Sequence, residues 1–258
     1  MKISPVKPKN PWIQCPKPNP TAGLRLFCFP YAGGGSLVFY HWPGALPPAI
    51  EVCSIQLPGR EHRVKEPPFS ELRPLLSALE SALYVYLDRP FAFFGHSLGA
   101  LIGFEMARRL RESHIPGLQH LFVSGCRAPH LPDPNLPIRH LPQDAFIREL
   151  HQYNGIPKVL LEDPEVMEFF LPLLRADFAI FETYHYHAGD PLDCSITAFG
   201  GLEDRKATEH EISQWRAMTL NHFHMRMFPG DHFFLNTQRQ ALLQVIVEDL
   251  HLTWVAGQ

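Results

Sequence analysis

The sequence has no apolar run that approaches the ~18 to 20 residues needed for a membrane-spanning helix. It also has no apolar segment behind Lys2 that could serve as the core of a secretory signal. We therefore expect a cytoplasmic protein that does not enter a membrane.

Cysteine is scarce, with five residues in all, and no two of them form a Cys-x-x-Cys pair. An odd number of unpaired cysteines argues against a disulfide framework and against a zinc site. Four of them lie in or beside predicted strands, where they read as small buried thiols: Cys28, Cys53, Cys126 and Cys194. The His-x-His pairs at 185/187 and 222/224 lack a further carboxylate or cysteine ligand at a recognisable spacing. We predict neither a metal nor a cofactor.

Positive charge is sparse as well. The chain has 23 Lys and Arg against 26 Asp and Glu, a net charge of -3, and it contains no long basic run. Because phosphate backbones are bound by clustered cations, this balance argues against a nucleic-acid partner.

What the sequence has is an alternation of strand and helix patterns. Apolar strand-like runs alternate with helical periodicity, as in residues 71–87, which predicts a mostly parallel sheet with helices on both faces. The predicted strands are 24–29, 52–57, 91–94, 120–125, 194–199 and 224–228. Residues 1–20 contain six prolines and read as an extended leader, while 21–258 read as one α/β domain.

The alternation fails between about 127 and 190. Short amphipathic helices, 143–152, 164–171 and 173–184, replace it there, with the last two separated at Pro172. We interpret this region as a helical lid insertion, since so long a structureless loop is improbable; an additional sheet-covering helix with long connections is the alternative. Its phenylalanines at 169, 170, 178 and 181 offer apolar surface to an acyl chain, or belong to the core.

The strand at 91–94 runs into Gly95-His96-Ser97-Leu98-Gly99, and a helix-forming sequence follows. Strand, sharp turn and helix are the context that a nucleophile elbow requires. Ser97 is the candidate nucleophile, and Leu98 N–H is a candidate oxyanion donor. A second glycine-rich loop, 33–35, follows the first strand, where such proteins place the other donor, so we assign that role to Ala32 N–H.

A serine hydroxyl needs a base and an acid, in the chain order Ser, Asp, His. Asp204 and His232 each follow a predicted strand and lie beside a glycine, at the sheet edge where α/β proteins assemble their sites. Other acids, at 190, 203 and 231, compete with Asp204. His96 adjoins Ser97 in sequence, but an elbow directs adjacent side chains differently, so it is interpreted as a packing residue.

Several motifs together resemble the type II thioesterases, the discrete α/β-hydrolases that serve nonribosomal peptide and polyketide synthases, and the related mammalian medium-chain fatty-acid thioesterase. The matching segments cover nearly all of the chain after residue 20: Phe29 to Gly34, Gln56 to Glu61, Phe94 to Ala100, Ser124-Gly125 with Arg127 to Pro129, Pro172 to Asp177, and Gly230 to Leu235.

The resemblance implies an α/β-hydrolase fold and thioester hydrolysis by a triad matching Ser97, Asp204 and His232. It also implies that the acyl or peptidyl group is carried on the phosphopantetheine of a carrier protein, and we expect a monomer. The family commonly has Pro after the acid, whereas this chain has Arg205. Cations that could meet an acidic carrier, or simply form salt bridges, are Arg127, Arg139, Lys158 and Arg175.

Three other functions are compatible with the same residues. A carboxylester hydrolase or lipase would use the triad on an oxygen ester, and an acyltransferase would pass the acyl group to an alcohol or amine. A binding protein on an inactive hydrolase scaffold is the alternative outside the enzymes.

Overall fold

The computed structural model describes residues 10–151 and 163–255. Strands in this part of the chain form one sheet in the order β1-β3-β2-β4-β5-β6-β7. Their bounds are β1 Ile13–Gln14, β2 Leu24–Phe29, β3 Ile50–Ile55, β4 Phe91–His96, β5 Leu118–Ser124, β6 Ser195–Gly201 and β7 Phe223–Phe228. Strands β2 to β7 run parallel and only β1 is antiparallel, so the predicted mostly parallel sheet is confirmed.

Helices connect the strands. The α-helices are α1 Trp42–Ala45, α2 Leu72–Leu83, α3 Leu98–Glu112, α4 Gln143–His151, α5 Pro164–Glu182, α6 Glu209–Ser213, α7 Phe234–Thr237 and α8 Arg239–Val255. Short 3₁₀ segments occur at Ser36–Phe39, Glu61–Arg63, Tyr84–Tyr86 and Gln214–Met218. Residues 209–218 thus form a short α-helix that continues as a 3₁₀ segment.

The two faces of the sheet are covered by different helices, because successive side chains of a strand point to opposite faces. In β4, Phe91 and Phe93 pack with the apolar sides of α2 and α3. Ala92 and Phe94 face the other layer, with α8 and Trp42 of α1. Both layers bury apolar side chains, which explains why the central strands are mostly apolar along their length.

The region between β5 and β6 is a helical insertion containing α4 and α5. It has its own small core, formed by Phe146, Leu150, Met167, Leu171, Leu174 and Phe178. The helical insertion predicted between the core strands is thereby confirmed. The predicted helix 143–152 is observed to His151, and Gln152 lies outside the described residues.

The predicted break at Pro172 is wrong. Helix α5 continues through Pro172, which lies on its exposed side. Proline costs a helix one backbone hydrogen bond and a steric clash. Burial of Met167 and Leu171 before it and of Leu174 after it keeps both halves on one packed face, and this packing offsets that cost.

The strands that precede the candidate site residues end at the same edge of the sheet. Phe29 pairs with Gly95 across β2 and β4, and His96 pairs with Ser124 across β4 and β5. Gly201 pairs with Phe228 across β6 and β7. The loops that follow these strands therefore meet at this carboxyl edge of the sheet, as the sequence predicts.

The first described residues of the chain lie at the edge of the sheet. Ile13 of β1 pairs with Ile55, so residues before position 20 join the edge of the sheet, and residues 1–9 lie outside the described part of the chain. All five cysteines are free thiols, and the four named above are buried. None of the helices in the described ranges has the length and apolar character that a membrane span requires.

Candidate active site

The turn from β4 into α3 holds Ser97 in a conformation that few non-glycine residues adopt, with φ 52° and ψ -118°. The two glycines make this possible. A Cβ on Gly95 would lie 2.1 Å from the carbonyl oxygen of Gly99, and a Cβ on Gly99 would lie 2.1 Å from that of Phe29. The chain therefore passes through the turn only without these side chains, and Ser97 begins helix α3, where the first amides and the positive end of the dipole are located.

The glycine-rich loop after β2 forms a tight turn. Gly34 N–H donates to the carbonyl of Tyr31 over 2.9 Å. Gly33, the third residue of the turn, has φ +76°, as the third position of a type II turn demands. The turn holds Ala32 beside the elbow, and Ala32 and Leu98 both line the cavity that contains Ser97.

Asp204 and His232 form a buried pair. The Nδ1 atom of His232 lies 2.8 Å from Oδ2 of Asp204, and the exposed fractions of the two side chains are 6% and 0%. The other carboxylate oxygen accepts backbone N–H groups of Lys206 at 2.7 Å and Ala207 at 3.3 Å. Because an ionised carboxylate only accepts, Nδ1 carries the hydrogen and the opposite ring nitrogen, Nε2, is an acceptor.

The predicted nucleophile, base and oxyanion donors share one cavity of about 800 Å³ including its mouth. Ser97, Leu98, Ala32 and His232 line it, and Asp204 contacts His232 from outside this lining. The insertion supplies an apolar wall, made of Leu150, Leu174, Phe178 and Phe181. The site thus combines an alcohol on a strained elbow, an acceptor imidazole and two backbone amides with an apolar space for a substrate chain.

Comparison with known proteins gives the same assignment. The model of the thioesterase domain family matches residues 24–250. The chain belongs to the thioesterase family. It is 44% identical to the gramicidin S biosynthesis protein GrsT of Aneurinibacillus migulanus, over 94% of this chain and 95% of that one.

Solved structures of type II thioesterases resemble this thioesterase throughout. BorB, from the borrelidin biosynthetic cluster, is 34% identical with a TM-score of 0.86, covering 95% of this chain and all of BorB. YbtT, from the yersiniabactin NRPS/PKS pathway, is 31% identical with a TM-score of 0.83, covering 94% and 99% of the two chains. The α/β-hydrolase fold is thereby confirmed, and the protein is an enzyme that hydrolyses thioesters.

The competing acids of this thioesterase lie elsewhere. Glu203 is exposed, and its backbone N–H donates to Gly230. The carboxylate of Asp231 accepts the N–H of Phe233 at 2.9 Å, and Asp190 is exposed at the end of the insertion. Asp204 is therefore the acid that contacts His232, despite the unusual Arg205 after it. Its catalytic role and those of the other site residues stay predictions.

His96 packs behind the site. Its Nδ1 lies 2.8 Å from Oγ of Ser124, and its ring centroid is 5.2 Å from that of His232. Burial, with a smaller contribution from nearby His232, holds the pKa of His96 well below the ordinary 6.5. A neutral His96 ring therefore packs beside the His232 ring without placing a second positive charge there.

The insertion places its phenylalanines on two faces. Phe178 and Phe181 line the cavity, as predicted for acyl contact. Phe169 and Phe170 are instead 60% and 38% exposed and contact each other edge to face. They lie on the exposed side of α5, between the buried residues Met167 and Leu171.

Three of the four candidate carrier-binding cations form contacts within the molecule. Arg127 is buried 3.0 Å from Asp133, and Arg139 lies 2.9 Å from Glu182. Arg175 donates to the backbone carbonyls of Arg139 and Leu141. Lys158 lies outside the described residues. These contacts fit the salt-bridge alternative for Arg127 and Arg139 better than exposed docking positions.

In the described ranges no group of three or more His, Cys, Asp or Glu side chains has the arrangement of a metal site.

Asp177 of α5 lines the cavity and was not predicted as part of the site. The sequence does carry a signal for it: an acidic residue lies among Leu173, Leu174 and Phe178 on an apolar helix face. Because charged side chains are rarely buried without a partner, this position indicates a specific role.

Proposed function

We propose that this thioesterase releases acyl or peptidyl groups from the phosphopantetheine arm of carrier protein domains in nonribosomal peptide or polyketide synthesis, acting as a cytoplasmic monomer. The buried 2.8 Å contact of His232 with Asp204, in the cavity that Ser97 also lines, carries the catalytic part of this proposal. The carrier-bound substrate is inferred from the pathways of similar proteins, among them gramicidin S and yersiniabactin biosynthesis.

In the proposed reaction Ser97 Oγ attacks the thioester carbonyl carbon while Nε2 of His232 takes the hydroxyl proton. Asp204 keeps the hydrogen on Nδ1 and stabilises the imidazolium. The resulting oxyanion accepts hydrogen bonds from the N–H groups of Ala32 and Leu98, each such donor typically contributing about 2.7 to 4 kcal/mol to the transition state.

Collapse of this intermediate breaks the carbon–sulfur bond, and the pantetheine thiolate leaves with the proton from His232. Water then attacks the acyl carbonyl carbon while Nε2 of His232 takes its proton. The ester bond to Ser97 Oγ breaks as this oxygen takes the proton back from His232, and the free acid departs. The apolar wall formed by Leu174, Phe178 and Phe181 suits the hydrocarbon part of an acyl chain, and this supports an acyl over a strongly polar substrate.

The test compares acyl-carrier-protein substrates of varied chain length, acyl-pantetheine thioesters and matched oxygen esters. We expect free thiol and free acid from the thioesters, and a kcat about 10⁴- to 10⁶-fold lower in Ser97→Ala. Ser113→Ala, the same change at the exposed far end of α3, is the control and should retain wild-type kcat.

Other outcomes would favour the alternative functions. Faster cleavage of oxygen esters than thioesters would indicate a carboxylester hydrolase. Transfer of the acyl group to an added alcohol or amine would indicate an acyltransferase. Full hydrolysis by the Ser97→Ala enzyme would refute the nucleophile assignment, and absence of fluorophosphonate labelling at Ser97 would favour an inactive binding scaffold.

A further inference from the structure

Three segments around the candidate site meet at one buried ion pair that the proposed mechanism does not use. The loop after β3 supplies Arg60, helix α5 of the insertion supplies Asp177, and the loop after β2 supplies Gly33 and Gly34. Two nitrogens of Arg60 lie 2.9 and 2.8 Å from the two oxygens of Asp177, and the side chains are 3% and 1% exposed. This paired geometry fixes both partners, since a guanidinium and a carboxylate match in two parallel bonds.

The same pair contacts the backbone of the glycine-rich loop at two successive residues. Gly33 N–H donates to Oδ2 of Asp177 at 2.7 Å, and Nη1 of Arg60 donates to the carbonyl of Gly34 at 2.9 Å. Both contacts involve charged groups in a buried setting, where hydrogen bonds are strongest. The loop backbone is thus held from one side by the insertion and from the other by the loop after β3.

Held in this way, Gly34 orients the peptide that bears the oxyanion donor. Gly34 N–H donates to the carbonyl of Tyr31, and that carbonyl belongs to the same planar peptide as Ala32 N–H. In a trans peptide the two groups point in opposite directions, so fixing the carbonyl of Tyr31 fixes the direction of the Ala32 N–H. Hydrogen bonds and the short backbone segment from Gly33 to Gly34 therefore connect Asp177 to the peptide that bears Ala32 N–H.

The insertion reaches this loop by close packing as well as by charge. A Cβ on Gly33 would lie 2.7 Å from Cδ2 of Leu174, and one on Gly59 would lie 3.3 Å from Cδ1 of Leu173. Helix α5 thus lies directly on both glycine-containing loops, with Asp177 one turn further along the same face. An α5 displaced by even one side-chain length would withdraw the acceptor of the Gly33 N–H.

We propose that the Arg60–Asp177 pair is a positioning device that sets the Ala32 amide for the oxyanion and makes its geometry depend on the docked insertion. The proposal rests on the proposed function, because it needs Ala32 N–H to be an oxyanion donor. Neither residue takes a proton or touches the reacting atoms in this scheme; both act through the backbone of the loop.

The decisive variant is Asp177→Asn, which keeps the size of the side chain and removes the charge that binds Arg60. A second variant, Arg60→Lys, keeps the charge but cannot bond both carboxylate oxygens and the carbonyl of Gly34 together. The matched control is Glu51→Gln, the same acid-to-amide change in another buried pair. Glu51 is 2.7 Å from Arg25, and the two side chains are 7% and 2% exposed. This pair lies near the starts of β3 and β2, at the end of the strands opposite the carboxyl edge.

We expect kcat for an acyl-pantetheine thioester to fall about 10- to 100-fold in both variants, while KM changes much less. The fall should be smaller than that caused by removing an oxyanion donor, because the Ala32 amide is misdirected but still present. The inhibition constant of an alkylboronic acid, which forms a tetrahedral adduct, should rise in proportion to the fall in kcat/KM. Glu51→Gln should change neither quantity, although it loses comparable thermal stability.

The boronic acid separates positioning from simple loss of folded enzyme, because a smaller active fraction lowers kcat without changing the inhibition constant. Unchanged inhibition constants in Asp177→Asn and Arg60→Lys, or values equal to those of Glu51→Gln, would overturn the proposal. If Asp177→Asn does not fold, Arg60→Lys decides. Failure of the proposed function would show instead in the wild-type enzyme, as absent thioester cleavage or as activity retained by Ser97→Ala.

Discussion

At the scale of single residues, the tautomer of the His232 imidazole is set by one carboxylate. Asp204 contacts Nδ1 of His232 and is held by two backbone amides, so its position does not depend on the histidine alone. The arrangement orients the ring and selects its tautomer. Both effects disappear if the side chain that faces Nδ1 can donate a hydrogen bond.

Replacing Asp204 by Asn should therefore lower kcat by about 10⁴-fold with little change in KM. The amide oxygen can still accept the N–H groups of Lys206 and Ala207, but its NH₂ group donates to Nδ1 and forces the hydrogen of His232 to Nε2. Steady-state kinetics on an acyl-pantetheine thioester measure the effect. Glu203→Gln, a charge loss at the adjacent exposed position, serves as the control, and a larger loss there would contradict the assignment of the acid.

The candidate site residues differ in how well the sequence alone predicts them. Ser97 and His232 could be predicted because an elbow and a late histidine have fixed places in the chain order of such folds. Asp204 was harder, since three other acids lie near strand ends and only the fold brings one of them to Nδ1. The pairing of Arg60 with Asp177 could not be predicted, because nothing local links positions 117 residues apart.

At the scale of elements, the elbow depends on close backbone contact between β2, β4 and α3. Gly99→Ala would place a Cβ 2.1 Å from the carbonyl oxygen of Phe29, a backbone atom in a buried strand that cannot move aside cheaply. We expect a loss of about 3 kcal/mol or more in the free energy of unfolding, or no soluble protein.

Gly44→Ala is the matched control for this prediction. A Cβ there meets no atom within 4 Å, and the residue lies in helix α1. Its effect on the free energy of unfolding should stay within about 1 kcal/mol, on the stabilising side. Chemical denaturation of the two variants measures the contrast, and equal stability would show that the elbow backbone is less constrained than its geometry indicates.

The strands were predicted well because buried parallel strands carry an apolar signal of their own, as in Leu24–Phe29. Short elements without such a signal were missed. Trp42–Ala45 contains both Pro and Gly, and tertiary packing of Trp42, for example against Phe39 and Phe94, stabilises it. The continuity of α5 through Pro172 is likewise a tertiary effect that local propensity opposes.

At the scale of the whole molecule, the face of the sheet below α8 contains a polar network far from the carboxyl edge. Nε2 of His120 lies 2.8 Å from Oγ1 of Thr197, which donates to Asp249, and His224 lies 3.0 Å from the same carboxylate. Burial lowers the pKa of His120 to about 4, partly opposed by Asp249 and assisted by His224.

This shift predicts that acid destabilises the fold through His120. As pH falls below about 6.5 the unfolded chain takes up a proton that the folded chain does not accept until about pH 4. The contribution of neutral His120 to the free energy of unfolding is therefore fully present above about pH 6.5. It falls by about 3 kcal/mol between pH 6.5 and 4.

Denaturation of wild type and His120→Gln across this pH range isolates the contribution. Glutamine can still hydrogen-bond Thr197 but does not titrate, so the variant should lose less stability between pH 6.5 and 4. Parallel stability curves would show that other groups cause the acid sensitivity. The substitution should leave kcat unchanged at neutral pH, since His120 lies outside the active-site cavity.

The arrangement of the sheet has a practical consequence for redesign. The proposed function assigns acyl selectivity and turnover to the carboxyl edge of the sheet and the helices of the insertion. The Arg25–Glu51 pair and the His120 network lie instead near the opposite strand starts or beneath α8. An engineer can therefore look for heat-resistant variants among the latter positions and for altered product range among the former, and combine two libraries with little expectation of interference.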